Sequence, residues 1–75
     1  MAASVRLPSL SWRRLVKALG RAGFLPVRQS GSHIMVRNSE GVRITVPKHD
    51  IIGKGLLVEI IAEAGITKEE LLRLL

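Results

Sequence analysis

Cysteine and tyrosine are absent from this 75-residue chain, and the only aromatic residues are one tryptophan and one phenylalanine. Without thiols there is no disulfide framework and no thiolate metal site to staple so small a domain. A packed apolar core has to hold it together, and a hydrophobic fraction of 47% is enough for one core. Long apolar runs are missing too. The best of them, "GLLVEIIAEAGI", is interrupted by Glu59 and Glu63, so no membrane-spanning segment is expected. The start, "MAASVRLPSL", lacks the apolar stretch of a secretory signal, which makes the cytoplasm the expected location. An Arg-bearing, acid-free start also mimics an organelle transit peptide, but this one runs into folded-domain signals without a cleavage-like break.

Acid is scarce in one half only. Residues 1–49 hold nine Lys and Arg against Glu40 alone, a balance of +8. Residues 50–75 hold three against five, a balance of −2. Segregated charge of this kind presents a positive face, which suits nucleic acid, an anionic membrane surface or an acidic protein.

The segment "SWRRLVKALGRAGF" predicts an amphipathic helix, with Trp12, Leu15, Val16, Leu19 and Ala22 at helical spacing. Ser11 suits the N-cap, with Ser9 the competing choice, and Gly23 fits the left-handed terminator. Arg13, Arg14, Lys17 and Arg21 fall off the stripe and read as solvated surface. Three short strands follow. In "LPVRQ" the pair Leu25 and Val27 alternates with Pro26 and Arg28, and the proline indicates an edge or a strand start. "HIMVR" sets Ile34 and Val36 against His33, Met35 and Arg37; "VRITV" sets Val42, Ile44 and Val46 against Arg43 and Thr45. The connections "SGS" and "NSEG" are turn-like, so the strands form an antiparallel meander that Pro47 stops. "KGLLVEIIAEAG" is a second helix with Leu57, Ile60, Ile61 and Ala64 on its stripe and Gly65 as terminator. A short third helix begins at Thr67, which has capping-box spacing to Glu70. The expected class is α+β, in the order α-β-β-β-α plus a C-terminal helix, with both main helices on one face of a three-stranded sheet. The other face then carries Arg28, His33, Met35, Arg37, Arg43 and Thr45, one imidazole among guanidinium groups.

"AGFLPVRQSGSHIMV", "RITVPKH" and "KGLLVEIIAEAGI" together resemble the HicA toxin family of YcfA-like mRNA interferases. The similarity runs from about Leu10 to the C-terminus, which divides the chain into an N-terminal extension, residues 1–9, and a single HicA-like domain, residues 10–75. The resemblance implies a fold like that of double-stranded-RNA-binding domains, an mRNA-cleaving activity, and neutralisation by a HicB-type antitoxin; the simplest inhibition would be for that antitoxin to cover the His33 face. The family's catalytic histidine, in Gly-Ser-His, falls on His33; its second, less diagnostic histidine falls on His49. Three positions depart from the family pattern. Leu56 stands where threonine is common, Val58 where a basic residue is common, and no aromatic follows His33.

The chemistry this implies suits the residues present. RNA supplies its own nucleophile, the 2′-OH, and an imidazole with its ordinary pKa of about 6.5 can take that proton near neutral pH. RNA contacts are expected from Arg28, Gly31, Ser32, Arg37, Arg43, Lys48 and Lys54. Gly31 reads as a turn residue with positive φ that also admits close approach of the substrate backbone. No metal or other cofactor is expected, because the basic half has no paired carboxylates to hold magnesium, and His49 with Asp50 makes a poor zinc site. Trp12 and Phe24 read as core packing, and Ser30 and Ser32 as turn serines bonding the local backbone. The competing reading is a non-catalytic RNA-binding module with the same fold and charge. A third is an interaction module that docks an acidic protein.

Overall fold

The computed structural model describes residues 6–75. Helix α1 (Trp12–Arg21) is followed by strands β1 (Leu25–Gln29), β2 (His33–Arg37) and β3 (Arg43–Pro47), then by α2 (Lys54–Ala64) and α3 (Lys68–Leu74). The α-β-β-β-α order and the short C-terminal helix are therefore as the hydrophobic periodicity predicts. Residues 1–5 of the expected N-terminal extension lie outside the described residues; Leu7, within the same expected segment, is buried against the core.

Local chemistry accounts for the helix limits. The Ser11 hydroxyl accepts the Arg14 N–H at 3.3 Å, satisfying one of the free donors of the first turn of α1. Leu15, Ala18 and Leu19 form its buried stripe, and Gly23, at φ 95°, turns the chain out of the helix. Leu57, Ile60 and Ile61 are the buried residues of α2, which ends at the left-handed Gly65. Thr67 and Glu70 complete the capping box of α3, each side chain bonding the other's backbone N–H at 3.0 Å. No helix among the described residues is long and apolar enough to cross a membrane.

The sheet is antiparallel in the order β1-β2-β3. Along β2 and β3, Ile34 pairs with Val46 and Val36 with Ile44; these four side chains are buried and face the helices. Because successive residues of a strand point to opposite faces, His33, Met35, Arg37, Arg43 and Thr45 must face outward. Val42 precedes β3 and is 38% exposed, so it does not extend the inner row expected of it.

Strand β1 departs further from its pattern. All five of its residues are exposed, Leu25 and Val27 included, and the strand carries a bulge at Val27. Pro26 is opposite Val36, but Arg28 is opposite Met35, so one extra residue sits between them. The slip places Arg28 in the outward row with Met35 and Thr45, and Leu25 in the outward row with Arg37 and Arg43. Strict alternation would have turned Arg28 the other way whenever Leu25 faced out.

The core joins Phe24, Leu10, Ile52 and Leu71 to the helix stripes and the inner strand row. Leu57 has no exposed surface. Leu57→Ala is expected to cost about 2–5 kcal/mol, against a total of about 4–11 kcal/mol for a domain of this length. Urea unfolding followed by circular dichroism should show the midpoint fall steeply.

Candidate active site

The turn between β1 and β2 is built by its serines. The Ser30 N–H donates to the His33 carbonyl at 2.9 Å, and the His33 N–H donates to Ser30 Oγ at 3.1 Å. Ser30 Oγ also lies 3.3 Å from the His33 carbonyl, to which it can donate. This closure uses a side chain where a left-handed glycine would otherwise serve. The expected positive φ at Gly31 is accordingly absent: the glycines with positive φ are Gly23, Gly41 and Gly65. A methyl group added at Gly31 would meet nothing within 4 Å. Neither backbone conformation nor packing within the chain requires glycine there.

His33 opens β2 beside this turn and is exposed, with Nδ1 2.9 Å from Ser32 Oγ. Two tautomers satisfy that contact. If Ser32 donates, Nε2 carries the proton; if Nδ1–H donates to Ser32, Nε2 keeps its lone pair. Nε2 makes no hydrogen bond among the described residues. The imidazole lines a groove of about 240 Å³ together with Arg28, Gln29, Ser30, Met35 and Thr45. One imidazole and one guanidinium therefore share a groove with three neutral polar side chains, Gln29, Ser30 and Thr45, and the apolar Met35. Their placement follows from the inner row of β2 and β3 together with the bulge of β1.

The other expected contact residues do not join that groove as one cluster. Arg37 and Arg43 are paired across β2 and β3 at the far end of the same face, four residues from His33 and thus about 13 Å along the strand. They extend the positive face without touching the imidazole pocket. Lys54 opens α2 and lines a separate groove of about 450 Å³ with Arg6, Leu7, Gly55, Val58 and Lys68. Leu56, one of the departures from the family pattern, packs half-buried against the core; Val58, another, is an exposed apolar wall of that second groove. His49 is exposed and is not among the residues lining the His33 groove. Its carbonyl accepts the Trp12 N–H at 3.0 Å, tying the loop after β3 to the start of α1.

Lys48 has unexpected company. Its backbone N–H donates to the Ser32 carbonyl at 2.8 Å, and its Nζ donates to the Ser30 carbonyl, also at 2.8 Å. The same ammonium lies 5.5 Å from the centroid of the Trp12 ring, and the Arg13 guanidinium lies 4.7 Å from it. Trp12 is thus only partly core, since its half-buried ring also receives two cations, whereas Phe24 is fully interior. Sequence reading gave Gln29 and the Lys48 contacts no part. Gln29 is the plain end of a strand, and nothing local in the sequence indicates that a lysine 18 residues after Ser30 will meet its carbonyl. Among the described residues, no three His, Asp or Glu side chains come together.

The family model described as HicA toxin of bacterial toxin-antitoxin matches residues 12–66, from the first residue of α1 to just beyond α2. The match covers most of the chain and takes in all three strands and the His33 groove. A comparison with curated proteins finds no match.

The open surroundings of Gly31 lead to a stability prediction. Gly31→Ala should leave the unfolding free energy unchanged or raise it by up to about 0.4–1 kcal/mol, through the loss of unfolded-state freedom, with a melting temperature that does not fall. Differential scanning calorimetry checks this, and a clear loss of stability would show that the turn does need glycine.

Proposed function

The chain belongs to the HicA toxin family, the toxins of bacterial toxin-antitoxin pairs, and on that premise we propose that it is an endoribonuclease that cleaves mRNA without a metal ion, with His33 as its general acid/base. The observation that carries this reading is the placement of His33 in a groove beside Arg28, with Nδ1 held by Ser32.

Cleavage of RNA by its own 2′-OH needs a base for that proton, alignment of the phosphate and compensation of the charge that builds on it. In the tautomer where Nδ1–H donates to Ser32 Oγ, Nε2 of His33 is the free base. The 2′-oxygen attacks phosphorus as its proton passes to Nε2. The bond to the 5′-oxygen breaks, and the leaving oxygen takes a proton from water as protonated His33 returns its own proton to the hydroxide that forms. The products are a 2′,3′-cyclic phosphate and a 5′-hydroxyl. Arg28, which shares the groove, stabilises the phosphorane charge with its guanidinium. Arg37 and Arg43 hold the flanking backbone farther along the same face. Exposed Gly31 lets the strand pass close to the turn. Lys54, in its separate groove, holds a more distant phosphate of a long substrate.

Membership of a toxin-antitoxin family implies a protein partner. We propose a HicB-type antitoxin that covers the His33 face, the simplest way to exclude substrate from an open groove. A complex that leaves His33 accessible and still cuts RNA would contradict this.

The activity test uses a long single-stranded mRNA in EDTA. The unaltered chain should cut it, and His33→Ala should lower the rate by about 10²-fold or more, with little loss of RNA affinity and an unchanged circular dichroism spectrum. Equal cutting by both proteins would remove His33 from the mechanism. Salt-sensitive binding with no cutting by either would leave an RNA-binding module.

A further inference from the structure

Lys48 lies in a basic half and just after the strand that pairs with the His33 strand, which makes it look like one more phosphate contact. Its surroundings argue otherwise. The lysine is half-buried, and its ammonium donates to the Ser30 carbonyl at 2.8 Å and lies 5.5 Å from the centroid of the Trp12 ring. Its backbone N–H takes the Ser32 carbonyl, continuing the β2–β3 ladder one step beyond the His33–Pro47 pair.

A single residue therefore grips both ends of the Ser30-Gly31-Ser32 turn. One grip is backbone and one is side chain. Both fall on residues that define the histidine's position: Ser30 bonds the His33 backbone, and Ser32 bonds its ring. The ammonium is in turn seated from the α1 side by the face of Trp12, whose backbone N–H donates to the neighbouring His49 carbonyl. Three segments distant in sequence thus meet at one lysine.

We propose that Lys48 is a positioning residue, a brace that fixes the turn carrying Ser32 and thereby the orientation of the His33 imidazole, and that its ammonium is engaged in this task and not on substrate phosphate. The inference rests on the reading of His33 as the acid/base. A turn held only by its own serines is free to open locally, whereas a charge-assisted bond from the residue after β3 restrains it. Misplacing a reacting group by about 1 Å can cost about 10²-fold in rate, so a lost brace should be visible in kinetics.

The test compares the intact chain with Lys48→Met, which keeps an unbranched side chain of similar length and removes the donor. Hydrogen exchange of the Ser30 and His33 amides is followed by NMR in the free protein. Single-turnover cleavage is measured at saturating RNA, and affinity with its salt dependence is measured in a His33→Ala background. The brace predicts at least about tenfold faster exchange at those two amides and at least about a tenfold slower cleavage step. RNA affinity and its salt slope should not change. The proposal is overturned if exchange and cleavage rate stay the same while affinity weakens and the salt slope falls by about 0.7, the signature of one lost phosphate contact on a single strand. It is overturned equally if none of these quantities moves. If the intact chain does not cleave at all, the nuclease reading fails by itself, and the exchange measurement alone decides whether Lys48 braces the turn.

Discussion

One-sided burial of the sheet is the constraint on which the candidate site depends. Ile34, Val36, Ile44 and Val46 lie against α1 and α2, and their removal from water is worth roughly 1.5–3 kcal/mol each. Since side chains alternate along a strand, that inward row obliges His33, Met35, Arg37, Arg43 and Thr45 to face outward. Among the described residues no third layer covers them. An imidazole and several cations are thereby displayed on a stiff platform, and their spacing is inherited from the ladder and not from flexible loops. Helix α3 contributes from behind: its buried Leu71 packs into the same core, and the Arg21 side chain donates to the Leu74 carbonyl, fastening the C-terminal helix to α1.

Where the ladder ends, its regularity no longer positions anything, and the structure relies on specific polar contacts. His33 stands at this boundary, the first residue of β2 and the last of the turn. Its backbone is tied to Ser30 and its ring to Ser32, and the turn is tied to the residue after β3. Catalytic groups are commonly placed at strand ends beside turns, where a rigid frame meets open solvent. The accuracy of such a site depends on how well the supporting contacts restrain it.

The features legible in the sequence were those that repeat. Helical and strand periodicity identified all six elements, the Ser11 and Thr67 caps and the Gly23 and Gly65 terminators, because each follows from a local rule. The outward row of β2 and β3 was legible for the same reason. Three features were not. Alternation in "LPVRQ" suggested that Leu25 and Val27 share a face, but a bulge is a relation between two strands and leaves no mark on one. Gly31 looked like a left-handed turn residue, yet the Ser30 side chain closes the turn without it. Lys48, Lys54 and Arg28 all looked like equivalent members of a basic patch, and only the tertiary structure separates a groove wall, a turn contact and a second groove.

The bulge at Val27 confines Arg28 to the outward face, while the single tryptophan lies behind the turn in contact range of Lys48. No tyrosine is present to add to its emission, so the intrinsic fluorescence of this chain comes from Trp12 alone. Its indole senses a lysine that is bonded to the carbonyl of Ser30 and an arginine of α1. The protein therefore carries its own optical reporter beside the histidine turn, with no label needed to follow it.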